Sequence, residues 1–213
     1  RAADAERVVA EIEAAGGTAR AFAGDVSRES DVVALFDLAT ERLGPIAGLV
    51  NNAGITGGSS RVEDVTPETL ERTFAINVTG SFLCAREAVR RMARSRGGAG
   101  GAIVNLSSLA ARIGGGGEWV HYAASKGAID SLTRGLAIEV AGDGIRVNAV
   151  SPGLIETDIH ATSSIPNRLA TMTPGVPMRR AGTPEEVADV VLWLLAERSS
   201  YVTGSIVEIG GGR

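Results

Sequence analysis

The sequence predicts an α/β fold: a doubly wound parallel sheet with helices on both faces. Three observations predict it. Helix-like and strand-like segments alternate along the whole chain. The strand-like segments are apolar at successive positions, as strands covered on both faces must be. Polar and small residues collect directly after those segments, at the sheet edge where open α/β folds hold ligands.

The elements follow in order. Val8, Val9 and Ile12 recur at helical spacing over 2–15, and Gly16-Gly17 stop that helix. Residues 18–23 read as a short strand ending at Gly24-Asp25-Val26. Ser27 is the expected cap of a helix carrying Val32, Val33, Leu35, Phe36 and Leu38, which ends at Gly44-Pro45. Residues 46–50 are a buried strand running into Asn51-Asn52-Ala53-Gly54. Thr66 caps one long helix to about residue 93, with Pro67 in its first position. Residues 102–106 are a strand closing on Ser107-Ser108. The glycines at 114–117 precede a helix over about 119–141. A strand over 145–150 ends in Ser151-Pro152-Gly153. Thr183-Pro184-Glu185-Glu186 is a capping box, and 205–209 is a last strand.

Bulk properties narrow the function classes. The chain has 213 residues and a formal net charge of -4, which suits one domain with a sizeable core. The mild acidity and the lack of a basic block argue against nucleic acid. Arg90, Arg91, Arg94 and Arg96 read as a solvated helix end, where cations suit the dipole. The single cysteine, Cys84, excludes an internal disulfide and is expected to be buried and inert. Neither a membrane-spanning run nor a signal peptide is visible, so a cytoplasmic setting is the default. No cluster has metal-ligand spacing.

The chemistry centres on Tyr122-Ala123-Ala124-Ser125-Lys126. Residues four apart share one helix face. A fixed ammonium favours phenolate and is expected to lower a tyrosine pKa that otherwise sits near ~10. Lys126 is the only lysine of the chain. A compact, rotatable ammonium is thus kept where arginine's planar fork would not substitute. His121 faces elsewhere on the helix and is given no catalytic role. His160, in a loop, reads as solvated. Trp119 and Trp193 read as packing residues.

These residues have company. Asn51-Asn52-Ala53-Gly54, Asn77 within Asn77-Val78-Thr79-Gly80, Ser108, Tyr122-x-x-x-Lys126 and Ser151-Pro152-Gly153 follow one another over most of the chain. In that order they resemble the classical branch of the short-chain dehydrogenase/reductase family. The stretch before Tyr122 is similar to bacterial glucose-dehydrogenase-like and 3-oxoacyl-ACP-reductase-like oxidoreductases.

The resemblance implies a single Rossmann-type NAD(P)-binding domain over 1–213. It also implies hydride transfer between a nicotinamide and a small-molecule carbonyl or secondary alcohol. Tyr122 would be the general acid/base, Ser108 would hold the substrate oxygen, and Lys126 and Asn77 would support Tyr122. Ser107, the neighbour of Ser108, would take only a strand-end hydrogen bond. Asn77 would hold a proton-relay water; a buried amide satisfied by a helix carbonyl is the plainer reading, and the two are compatible. Asp25 and Val26 would meet the adenine. Asn51, Ala53 and Gly54 would meet the cofactor's ribose side, and Pro152, Gly153, Ile155 and Thr157 the nicotinamide. Asn52 would tie strands together. NADP(H) is favoured on the subgroup resemblance, with NAD(H) as the alternative. A homotetramer is implied, or a homodimer, built on the helices over 66–93 and 119–141 and on the C-terminal helix and strand. A substrate loop spans about 153–177 and is irregular from Glu156 to Pro177. The rival readings are a non-catalytic dinucleotide-binding or regulatory protein and an inactive truncated fragment.

The family's glycine-rich first turn has no counterpart here. Roughly one β-α-β unit of ~30 residues is expected upstream of Arg1. In a 3-2-1-4-5-6-7 sheet the central pair of strands would then be lacking, and the 18–23 strand would stand about ~10 Å from its next partner. Arg1 lies just past the usual place of a contact to the 2′-phosphate.

Overall fold

The computed structural model describes residues 2–213; the expectation for Arg1 lies outside them. Four strands form one parallel sheet: β1 (Gly48–Asn51), β2 (Gly101–Leu106), β3 (Ile145–Pro152) and β4 (Ile206–Ile209), in the order β1-β2-β3-β4. This matches the consecutive 4-5-6-7 run of the expected sheet.

Eight α-helices flank the sheet among the described residues: α1 (Ala2–Ala14), α2 (Glu29–Leu43), α3 (Pro67–Phe74), α4 (Ser81–Met92), α5 (Ala110–Ile113), α6 (Val120–Val140), α7 (Arg168–Met172) and α8 (Pro184–Leu195). Strand alternation divides the apolar residues between two faces. Ile103 of β2 and Val147 of β3 pack with Phe36 of α2, Met92 of α4 and Val140 of α6. The next residue of β2, Val104, packs with Val150 of β3 and Leu194 of α8. Both faces are therefore covered, which is why these strands read as continuous apolar runs.

The caps behave as their chemistry dictates. The Thr66 hydroxyl accepts from Thr69 N at 3.2 Å, and Pro67 opens α3. Thr183 and Glu186 form a complete capping box on α8. Gly44, with φ of 92°, ends α2.

Several expectations are corrected. Residues 18–23 form no strand, because a strand exists only with a hydrogen-bonding neighbour and no described strand lies beside them. β1 is accordingly a half-exposed edge. Ser27 does not cap α2; its hydroxyl donates to Asp25 Oδ1 at 2.6 Å, and the extended Arg28 precedes the helix. The helix expected over 66–93 is not uniform. α3 and α4 are joined by a π-helical turn, Ala75–Gly80. The substrate loop is not wholly irregular, since it carries a 3-10 turn at Asp158–Thr162 and the short α7. Trp193 is not simply packed inside: it and Leu192 stand partly exposed on the outer side of α8.

Candidate active site

The carboxyl ends of β1, β2 and β3 open onto a cavity of about 260 Å³. Four chain segments supply its working groups. Gly54 comes from the turn after β1, and Ser107 and Ser108 from the end of β2. Tyr122 and Lys126 come from α6. Pro152, Gly153, Ile155, Thr157 and His160 come from the end of β3 and the segment after it. Of the sequence-predicted residues, Ser108, Tyr122, Lys126, Gly54, Pro152, Gly153, Ile155 and Thr157 are brought together on one wall system.

Tyr122 is fixed from several sides. Its ring meets Trp119 edge-on, with centroids 6.0 Å apart. Its hydroxyl hydrogen-bonds with the Ser108 side chain. The preceding His121 is buried and anchors the start of α6, its Nε2 lying 2.8 Å from the Thr56 carbonyl. Three residues on, Ser125 Oγ donates to the Tyr122 carbonyl at 2.7 Å.

Lys126 is 5% exposed. Its Nζ donates to the Leu106 carbonyl at 2.6 Å and lies 5.7 Å from the centroid of the Tyr122 ring. Burial pulls the ammonium down to about 8, with Asp130 pushing the other way. The Tyr122 phenol is shifted upward by burial and only partly restored by Ser108. This corrects the expected direction for the tyrosine. In the chain alone, removal from water outweighs the opposing effect of Ser108.

Asn77 sits in the π-helical turn, 1% exposed. Its Oδ1 accepts from Ile55 N at 2.9 Å, and its Nδ2 donates to the Ile55 carbonyl at 2.8 Å and to Ser125 Oγ at 2.9 Å. The expected helix carbonyl is not its partner; the turn after β1 is. Asn77 thus joins that turn to α6, directly behind Tyr122 and Lys126.

The asparagine that ends β1 and the one that follows it exchange their expected places. Asn51 ties strands, its Nδ2 donating to Asn105 Oδ1 of β2 at 2.9 Å, while Asn52 lines the cavity. Asn51, Ala53 and Val26 share a separate small crevice beside α4. Asp25 is held apart. Its Oδ1 accepts from Ser27 N at 3.0 Å as an Asx turn, and its Oδ2 accepts from Arg72 at 3.1 Å. These bonds, those to Ser27 first, hold its carboxyl at about 2. Ser107 turns to Asp130, 2.5 Å away, rather than into a strand-end bond alone.

A second cavity, of about 350 Å³, adjoins the first and shares Ser108, Tyr122 and His160 with it. Its outer wall comes from the 153–177 segment, through Ile159, Ser164, Ile165, Arg168 and Met172. Arg168 of α7 ion-pairs with Glu118 and lies over the Trp119 ring, 4.1 Å from its centroid. Ser59 Oγ donates to Ser164 Oγ at 2.8 Å from the opposite side. His160 is not solvated as expected: its Nε2 lies 2.7 Å from the Ile155 carbonyl, folding the loop back over the cavity. Sequence reasoning missed Asp130, Ser125 and the Glu118–Arg168 pair. Only Asp130 carried a readable signal, four residues after Lys126 on the same helix row.

With that geometry, comparison with known proteins is decisive. The family model described as Enoyl-(Acyl carrier protein) reductase matches residues 1–213. The chain belongs to the short-chain dehydrogenase/reductase family. It is an oxidoreductase. The uncharacterized oxidoreductase YgfF of Escherichia coli strain K12 is 51% identical over 209 residues, spanning 98% of this chain and 85% of that protein. A short-chain dehydrogenase/reductase from Mycobacterium marinum superposes with a TM-score of 0.92 at 36% identity, covering 100% of this chain and 82% of that one. A 3-ketoacyl-(acyl-carrier-protein) reductase from Brucella melitensis, complexed with NADH, gives 0.90 at 34% identity, covering 100% and 84%. The Rossmann-type sheet of this short-chain dehydrogenase/reductase is thus the family's own. Among the described residues no helix is long and apolar enough to cross a membrane, and no three His, Cys, Asp or Glu side chains could hold a metal ion.

Proposed function

We propose that the chain is one dinucleotide-binding domain that interconverts a small-molecule carbonyl and its secondary alcohol, with Tyr122 as general acid and base. The observation that carries this reading is the meeting of Ser108, Tyr122 and Lys126 on one cavity at the carboxyl ends of the strands.

The residues present fit a nicotinamide dinucleotide. A Cβ placed on Gly54 would lie 3.3 Å from Asn77 Oδ1 and 3.4 Å from Lys126 Nζ, so the glycine keeps a cradle open beside the ammonium. Lys126 has three donor hydrogens; one goes to the Leu106 carbonyl, and the others would be given to ribose hydroxyls. Ile155 and Thr157 would flank the nicotinamide, with Pro152 and Gly153 beneath it. Asn51, Ala53, Val26 and Asp25 would line the path toward the adenine. The bound dinucleotide supplies or accepts the hydride. NADP(H) is our favoured form, on the subgroup resemblance; the related reductase carries NADH, so both are to be tested.

The protein's own part is proton transfer and placement. In reduction the Tyr122 phenol gives its proton to the carbonyl oxygen while Ser108 donates to that oxygen and steadies its charge. The Lys126 ammonium then stabilises the phenolate left behind. Burial keeps Tyr122 in the phenol form needed for this direction. Asn77 holds the turn after β1 against α6, and a relay water beside it would return the proton to Tyr122. We read the molecule as a cytoplasmic homotetramer associating through α4 and α6, with α8 and β4 at a second contact.

The test is a panel of aldehydes, ketones and alcohols, followed by absorbance of the reduced nicotinamide with both cofactors. Tyr122→Phe is expected to lose about a hundred- to ten-thousandfold in rate while binding the dinucleotide normally. A Tyr122→Phe variant of undiminished rate would end the assignment. Saturable dinucleotide binding with no turnover on any compound would favour a non-catalytic binding protein.

A further inference from the structure

We propose that Asp130, tethered by Ser107, is a positioning residue that keeps Lys126 a cation beside Tyr122. The inference rests on the function proposed above. Tyr122, Lys126 and Asp130 stand four residues apart in one row of α6, so along the helix Lys126 lies between a phenol-bearing and a carboxylate-bearing residue. The carboxylate does not swing free. Ser107 Oγ, at the end of β2, donates to Asp130 Oδ1 at 2.5 Å and lies 3.4 Å from the Lys126 carbonyl. One hydroxyl therefore ties the strand end, the helix backbone at Lys126 and the acidic side chain together.

A survey of the ammonium's surroundings leaves Asp130 as the negative charge that acts on it. From α6 itself come Tyr122 and Asp130. From β2 comes the uncharged Leu106 carbonyl, 2.6 Å away. The turn at Gly54 and the π-helical turn at Asn77 offer backbone and a neutral amide. His160, from the segment after β3, stands on the same cavity wall. Burial opposes the charge on Lys126, and the attraction of Asp130 works against burial. Without the carboxylate, the buried amine would be neutral over more of the working pH range, and the phenolate formed at Tyr122 would lose its counter-charge.

The test exploits the single lysine of the chain. Isotope-labelled lysine gives one side-chain resonance in the folded protein, and its pH titration reads the ammonium with neither substrate nor dinucleotide present. The wild-type midpoint is expected near about 8. Asp130→Asn should move it down by about one pH unit. The high-pH limb of reductive kcat/KM should fall by a similar amount, a roughly tenfold loss of rate well above the limb. Asp130→Glu should restore both. Ser107→Ala should shift the midpoint less, since it frees the carboxylate without removing it. A merely structural carboxylate would leave the lysine titration in place, so an unmoved midpoint in folded Asp130→Asn overturns the proposal. If wild-type protein turns over no substrate, the functional reading fails, yet the lysine titration still decides the role of Asp130.

Discussion

Burial drives both members of the Tyr122–Lys126 pair toward their neutral forms. The phenol gains protons and the ammonium loses them. The sign of the pH dependence follows. In the proposed mechanism reduction needs the phenol protonated and the lysine charged, and both conditions hold at neutral pH. As pH rises through about 8, Lys126 gives up its charge while Tyr122 stays protonated. Reductive kcat/KM is therefore expected to be level below that pH and to fall above it, which a pH–rate profile measures directly. Residue identities were the most legible part of the site. Tyr122, Lys126 and Ser108 are recognisable from spacing and company. The direction of the tyrosine shift was not, because a sequence shows a neighbouring charge but not how completely water is excluded.

At the scale of elements, the π-helical turn between α3 and α4 is the feature that organises the back of the site. It places Asn77 where three hydrogen bonds clasp Ile55 and Ser125. Asn77→Leu would leave the part-buried Ile55 amide and carbonyl without their partner and strip the buried Ser125 hydroxyl of one of its two bonds. A loss of about 2–4 kcal/mol in unfolding free energy is expected by urea titration. Caps and stops were legible because they depend on local chemistry, as at Thr66, Thr183 and Gly44. The π-turn was not, since nothing in Ala75–Gly80 distinguishes it from plain helix until Ile55 and Ser125 are in place. The exchange between Asn51 and Asn52 has an equally small cause. β1 runs one residue further than its apolar pattern, so Asn51 falls in register with Asn105 and their amides meet across the ladder.

At the scale of the molecule, the parallel sheet was legible from the alternation of helix and strand, its order came with the family resemblance, and the edge at which ligand groups gather was legible from the residues after each strand. The absence of a strand over 18–23 was not, because pairing is a property of neighbours rather than of a segment. The surface adds a prediction about assembly. A groove between α4 and α6 is lined by Phe82, Leu83, Val89 and Leu136, and Phe82 is 51% exposed. Apolar surface of this kind is stabilised by being covered. Phe82→Arg is expected to lower the mass seen by sedimentation equilibrium while leaving the fold intact by circular dichroism. An unchanged mass would remove this face from the assembly.

Cys84 stands on the buried face of α4, packed in the core, and burial pushes its thiol up to about 11. Thiol-directed dyes attack the deprotonated, accessible sulfur. The native protein is thus effectively silent toward maleimides, without any cysteine having to be engineered away. A cysteine introduced at Ser164 would be the reactive thiol of the folded chain. A fluorophore there would report, against a dark background, whether the segment latched by Arg168 and Glu118 lifts when a reactant arrives.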